Sequence, residues 1–195
     1  SNSLNAQTIE SLVQQEAKFD SIGVGDNISK PEGRLGAVYK LVAVYKDNQE
    51  VPKIKLSNDV IKIVNPGHKK LYRAYDKNTG YAIADVMSRI DEEINQRDLT
   101  IVSLNGYKKS SVLEDYELIP LQKPIFIDGE YVYDEPSYEE KRKYCEEQMQ
   151  TIYPEVRRIL NPHEYYVDGT NAYAEFKEQM ISDVKDQVKL LRQKR

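Results

Sequence analysis

The stretch Phe19-Asp20-Ser21-Ile22-Gly23-Val24-Gly25-Asp26-Asn27 constrains this chain more than any other. A short apolar run ends in two glycines one residue apart, which predicts a buried strand over 19–22 feeding a tight turn. Such a turn aims several backbone N–H groups at one point, and a phosphate is their usual occupant. Ile9, Leu12, Val13 and Ala17 recur at helical spacing before it, so 4–17 reads as a helix that Asn5 can cap. A helix, a short strand and a glycine turn make the rhythm of a parallel α/β unit, where ligands gather at strand carboxyl ends. The turn is also a seam, because the periodicity after it changes to that of strands.

Residues 30–33 read as loop. Strands are expected over 37–45, 53–56, 70–75, 81–87, 100–104 and 117–121, from their alternation and β-branched or aromatic content. Asp47-Asn48-Gln49, Asn65-Pro66-Gly67 and Lys77-Asn78-Thr79-Gly80 supply turns, and Ser57-Asn58-Asp59 can cap a short one. Asp128-Gly129 closes a hairpin between Ile125-Phe126-Ile127 and Tyr131-Val132-Tyr133. From Ser137 the character changes again. Ser137 with Glu140 predicts a capping box and a helix running to about Tyr153. Pro154 opens a further helical turn towards Leu160, and Asn161-Pro162 ends it. A last helix is expected over 171–191, with Phe176, Met180, Val184, Val188 and Leu191 on one stripe. The fold class that results is α+β, in three parts: 1–30, a β-rich 31–134 and a helical 135–195.

Charge narrows the function classes. The chain has 195 residues and a formal net charge of -4, a poor balance for neutralising a nucleic-acid backbone. Cys145 is the only cysteine, so an internal disulfide is excluded, which suits a reducing, cytoplasmic setting. No apolar run approaches a membrane span. Fifteen tyrosines suit half-buried strands and interfaces where a ring is dry and its hydroxyl wet.

Several segments resemble one family in order along the chain. Phe19-Asp20-Ser21-Ile22-Gly23-Val24-Gly25 is similar to the glycine turn that closes the barrel of nicotinate phosphoribosyltransferases. Leu35-Gly36-Ala37-Val38-Tyr39-Lys40-Leu41-Val42 resembles the family's LGGVYKLV strand. Lys53-Ile54-Lys55-Leu56-Ser57 and Asn65-Pro66-Gly67-His68-Lys69-Lys70-Leu71-Tyr72-Arg73 resemble its KLS and PGxKxxYR segments. Leu160-Asn161-Pro162-His163-Glu164-Tyr165-Tyr166-Val167 resembles its NPhxYxV run, and Ser1-Asn2-Ser3-Leu4-Asn5 the end of a late barrel strand.

The resemblance covers only the carboxyl-terminal part of the family's chain. It implies the last strand-helix units of an α/β barrel over 1–30, followed by the β-rich and helical regions. It implies an enzyme that joins nicotinate to phosphoribosyl pyrophosphate, with ATP hydrolysis and Mg2+, in NAD biosynthesis. The enzyme would be a homodimer holding no tightly bound cofactor, and neither a nucleic acid nor a membrane would be its partner. Gly23, Gly25 and Asp26 would hold the 5′-phosphate, and Asn2 and Ser3 would lie near the ribose. Many members carry Thr where this chain has Asp26. A carboxylate repels phosphate, so Asp26 has three outlets: to point away, to cap the next turn or to reach a metal ion. The phosphorylated histidine and the nicotinate site belong to upstream segments, which implies that this portion alone is inactive. His68 and His163 match no catalytic motif and read as structural.

The bland readings stand beside these. Lys40 reads as a charge on a solvent face, and Lys55, Lys69, Lys70 and Arg73 as a solvated basic cluster, with substrate steering the sharper alternative. A non-catalytic α+β binding or assembly module, with tyrosine-rich strands at an interface, is the rival to the enzyme as a whole. An ordered phosphate or sulfate on Gly23–Asp26 favours the enzyme and an occluded turn the module.

Overall fold

The computed structural model describes residues 4–25, 27, 38–95, 97–105 and 109–193. It divides into two compact units, Ser1–Tyr39 and Lys40–Arg195. In the first, α1 (Ala6–Gln14) starts where Asn5 Oδ1 accepts from the Thr8 N–H at 2.8 Å, as a polar N-cap should. Asn27 Nδ2 donates to the Leu4 carbonyl at 2.8 Å. The strand expected over 19–22 does not form, and Phe19 and Ile22 remain 43% and 40% exposed. A parallel strand needs ladder partners on its flanks, and no described residue pairs with this run. Residues 28–37, with the loop expected at 30–33, lie outside the described part.

The second unit is a mixed α+β fold. A hairpin joins β1 (Ala43–Lys46) to β2 (Gln49–Pro52). Asp47 and Asn48 both adopt positive φ, 51° and 58°, the signature of a two-residue hairpin loop. That loop corrects the expected strands at 37–45 and 53–56. Strands must flank a two-residue turn immediately; Pro52 falls at a non-hydrogen-bonded pair with Ala43, and the Lys53 N–H still donates to the Val42 carbonyl at 2.8 Å. Asp59 caps a single 3-10 turn, Val60–Lys62.

The main sheet has six strands: β3 (Lys69–Asp76), β4 (Ala82–Arg89), β5 (Leu99–Val102), β6 (Ser110–Leu113), β7 (Tyr116–Pro120) and β10 (Tyr166–Thr170). Their order is β6-β5-β10-β4-β3-β7, and only β10 and β4 run parallel. The outermost strands, β6 and β7, are linked by Glu114 and Asp115 alone. A link that short brings the two ends of the sheet together, so the sheet curls around one face. Ala74, Ala84, Val86, Leu99, Ile101, Leu113 and Tyr116 fill that face.

Two small strands, β8 (Phe126–Ile127) and β9 (Glu130–Tyr131), flank Asp128-Gly129 as expected. The capping box precedes α2 (Tyr138–Thr151): Glu140 Oε2 accepts from the Ser137 N–H and Ser137 Oγ from the Glu140 N–H. Beyond it the expected helical turn towards Leu160 is only a turn at Tyr153, and Asn161 adopts φ 48°.

The final helix, α3 (Asn171–Gln193), packs against the outer face of the sheet. Tyr173 and Ala174 meet Val102 and Leu104, with Met87 and Phe176 alongside. Close approach is set by Gly169, where a Cβ would stand 2.9 Å from Leu104 Cδ2 and 3.0 Å from Tyr173 Cδ1. Gly169→Val is therefore expected to lower stability by about 1–3 kcal/mol through overpacking, read from its urea midpoint.

Sequence reading passes over β6 and β10. Strand β10 carries Asp168 and Gly169, residues depleted in strands, yet it occupies the middle of the sheet.

Candidate functional site

Gly23 and Gly25 are exposed, and Val24 is half-buried. Among the described residues, neither glycine amide donates to a protein acceptor. A Cβ placed on Gly25 would meet no atom of the described residues within 4 Å. The tight turn expected here does not form: residues 21–25 are irregular backbone, and neither glycine is among those with positive φ; the exposed backbone leaves room for close approach of an anion. Asp26, Asn2 and Ser3 lie outside the described residues. Among the described residues no group of three or more His, Cys, Asp or Glu could hold a metal ion.

The basic cluster has a different place from the one expected. Lys69 Nζ donates to the carbonyls of Asn65 at 2.9 Å and Gly67 at 2.7 Å. The carbonyl between them, on Pro66, accepts from the Tyr173 hydroxyl at 2.7 Å. Lys177, only 5% exposed, donates to Asn65 Oδ1 at 2.7 Å and to the Leu104 carbonyl at 2.8 Å. On the amide side, Gly67 donates to the Val42 carbonyl, and His68 to Glu50 Oε1 at 2.7 Å.

Asn65-Pro66-Gly67 is therefore a latch that ties the β1–β2 hairpin to the sheet and to α3. Its tight course needs the φ of +81° at Gly67. Burial lowers the pKa of both Lys69 and Lys177. Lys69 is structural, because its ammonium satisfies turn carbonyls that would otherwise face no donor.

Arg73 is likewise no surface charge. Its Nε and one terminal nitrogen grip Asp85 Oδ1 and Oδ2 at 2.8 and 3.0 Å, and the other terminal nitrogen reaches Gln148 at 3.1 Å. Tyr165 donates to Asp85 at 2.9 Å and Tyr75 to Gln148 at 3.0 Å. Donating to the Asp85 carboxylate raises the guanidinium pKa further, while burial, followed by the Asp85 charge, raises the Tyr165 phenol. This network joins β3, β4, α2 and the segment before β10. Lys40 and Lys55 are exposed, and Lys70 is half-buried. His68 Nδ1 meets the Tyr45 hydroxyl at 2.9 Å, and Cys145 is exposed.

A cleft of about 910 Å³ opens beside β6, between Ile101 and Leu113 on the sheet and Tyr153, His163 and Tyr166 on the later chain. Sequence reading assigns it nothing. Its only signal there is the density of tyrosines and carboxylates over 153–168.

Residues 68–177 match the model of the nicotinate phosphoribosyltransferase C-terminal domain. The chain belongs to this family. It is 36% identical over 181 residues to a nicotinate phosphoribosyltransferase of Caenorhabditis elegans, which covers 90% of this chain and 31% of the relative. It is 31% identical over 191 residues to that of Bacillus subtilis (strain 168), covering 96% of this chain and 39% of the relative. The human relative is 26% identical over 170 residues. The chain thus spans 31% and 39% of the length of the first two relatives. A crystal structure of human nicotinic acid phosphoribosyltransferase matches with a TM-score of 0.53 at 20% identity, over 60% of this chain and 23% of that one. That likeness supports the fold.

No helix among the described residues is long and apolar enough to cross a membrane.

Proposed function

We propose that this chain works as the carboxyl-terminal portion of an enzyme that forms nicotinate mononucleotide and pyrophosphate from nicotinate and phosphoribosyl pyrophosphate. The observation that carries this reading is the match to relatives of that name over 90% and 96% of the chain. The exposed backbone of Gly23 and Gly25, whose amides meet no acceptor among the described residues, supports a phosphate role. Those amides, with Asp26 beside them, would hold the 5′-phosphate, and Asn2 and Ser3 would contact the ribose. Cleavage of the substrate moves negative charge onto pyrophosphate, so fixed donors that need no reorganisation lower the barrier.

The acceptor site and the phosphorylated histidine lie in other segments on this reading. The chain alone, given nicotinate, phosphoribosyl pyrophosphate, ATP and Mg2+, is expected to form no nicotinate mononucleotide. The complete polypeptide is expected to form it. Product from the chain alone, measured by chromatography, would overturn the division of labour.

A further inference from the structure

A second cavity, of about 160 Å³, lies inside the second unit, where α3 passes the 3-10 turn and the end of β5. Ala174, Lys177 and Ile181, three and four positions apart, present one face of α3 to it. Val60, Ile63 and Leu104 complete its apolar walls, and Ser103 and Glu178 add polar groups.

Lys177 is the buried charge of this cavity, at 5% exposure. An ammonium carries three N–H donors. Two hold the latch, on Asn65 Oδ1 and the Leu104 carbonyl, and the third meets no acceptor among the described residues. Both acceptors are neutral. No carboxylate pairs with Lys177 among the described residues. Burial alone lowers its pKa, whereas the Glu50 charge opposes the same effect at Lys69. A buried ammonium with no counter-charge is costly, and folds usually pair such a group.

Ser103 brings a second unspent donor to the same cavity. Its Oγ accepts from the Asn105 N–H at 3.4 Å, and its hydroxyl hydrogen meets no acceptor among the described residues. Ser103 is half-buried, so its hydroxyl can turn towards the cavity or towards water. Glu178 is the one acidic residue lining the cavity, at an exposed position on α3. Its sign opposes an anion there, but water screens an exposed carboxylate far more than it screens Lys177.

We propose that this cavity binds a small aliphatic carboxylate, with Lys177 and the Ser103 hydroxyl on its oxygens and Val60, Ile63, Leu104 and Ile181 around its hydrocarbon body. The carboxylate supplies the counter-charge that the fold does not, through charge-assisted hydrogen bonds. An inorganic anion would leave the apolar walls unused, and a neutral guest would leave the ammonium unpaired. A cavity of this size takes a body of a few carbons only.

The test titrates this chain with isobutyrate, followed by methyl NMR, with isobutyramide, uncharged and of nearly the same shape, as the control. Saturable shifts are expected, confined to the methyls of Val60, Ile63, Leu104, Ala174 and Ile181. Isobutyramide should bind at least about tenfold more weakly, because it cannot pair with a buried charge. Lys177→Met keeps the length of the stem without the charge, and should weaken isobutyrate at least about tenfold. Ser103→Ala should weaken it about threefold, the worth of one hydrogen bond. Glu178→Gln, at an exposed position, removes the opposing sign and should strengthen it. Absence of saturable shifts, shifts centred elsewhere, equal binding of isobutyramide, or unchanged affinity in a folded Lys177→Met variant would each overturn the proposal. Should Lys177→Met fail to fold for want of the latch, unchanged affinity in both Ser103→Ala and Glu178→Gln overturns it instead.

Discussion

Asp85→Ala is expected to destabilise the β-rich unit by about 3–5 kcal/mol, the cost of stripping one partner from a buried ion pair. Arg73 and Asp85 side chains are 18% and 13% exposed, and their contact is bidentate. Without Asp85 the guanidinium keeps only Gln148 at 3.1 Å, and the Tyr165 hydroxyl loses its acceptor at 2.9 Å. The damage spreads because the network spans elements far apart in sequence: Tyr75 also depends on Gln148. For a unit of this size the loss amounts to a fall in melting temperature of about 10 °C or more. Asp85→Asn keeps one acceptor and should fall between the two. Thermal and urea unfolding followed by circular dichroism reads both. An unchanged midpoint in Asp85→Ala would show that the pair adds nothing beyond its own desolvation cost, as exposed pairs commonly do.

Gly25→Ala in the complete enzyme is expected to lower kcat/KM for phosphoribosyl pyrophosphate about a hundredfold, or about 2.7 kcal/mol of transition-state stabilisation. The methyl would meet no atom of the described residues within 4 Å, so they give no steric reason to object. A phosphate seated on the Gly23 and Gly25 amides does have one, because a Cβ keeps the anion from the backbone N–H groups. The loss should therefore appear with unchanged circular dichroism and an unchanged melting temperature. Normal kinetics in Gly25→Ala would take the phosphate away from this segment, and the family assignment would stand.

How much was legible from the residues depended on how local the physics was. The Ser137–Glu140 capping box, the Asp128-Gly129 turn and strands β3, β4, β5 and β7 all follow from residues within a few positions of one another. Each is expected from sequence and each is present. The first hairpin was misplaced because its turn is two residues, Asp47 and Asn48, where three were read. The run at 19–22 looked like a buried strand because apolar content marks a segment able to pair. Pairing itself needs neighbours, and none is described there. Among the residues weighed in the sequence, Gly23 and Gly25 lie exposed, while Lys69 and Arg73 are internal fasteners where surface charges are expected.

The amino-acid sequence alone determined the family, the α+β character and the local punctuation of the chain, because collinear motifs, caps and turns are short-range. Only the tertiary structure decided that β10, with an aspartate and a glycine in it, sits between β4 and β5. Its register against those strands and the close approach of α3 at Gly169 outweigh a poor local propensity. The same holds for charge. Whether Lys177 or Arg73 faces water, a carbonyl or a carboxylate depends on segments at a distance along the chain, and the dielectric around each is set by those segments.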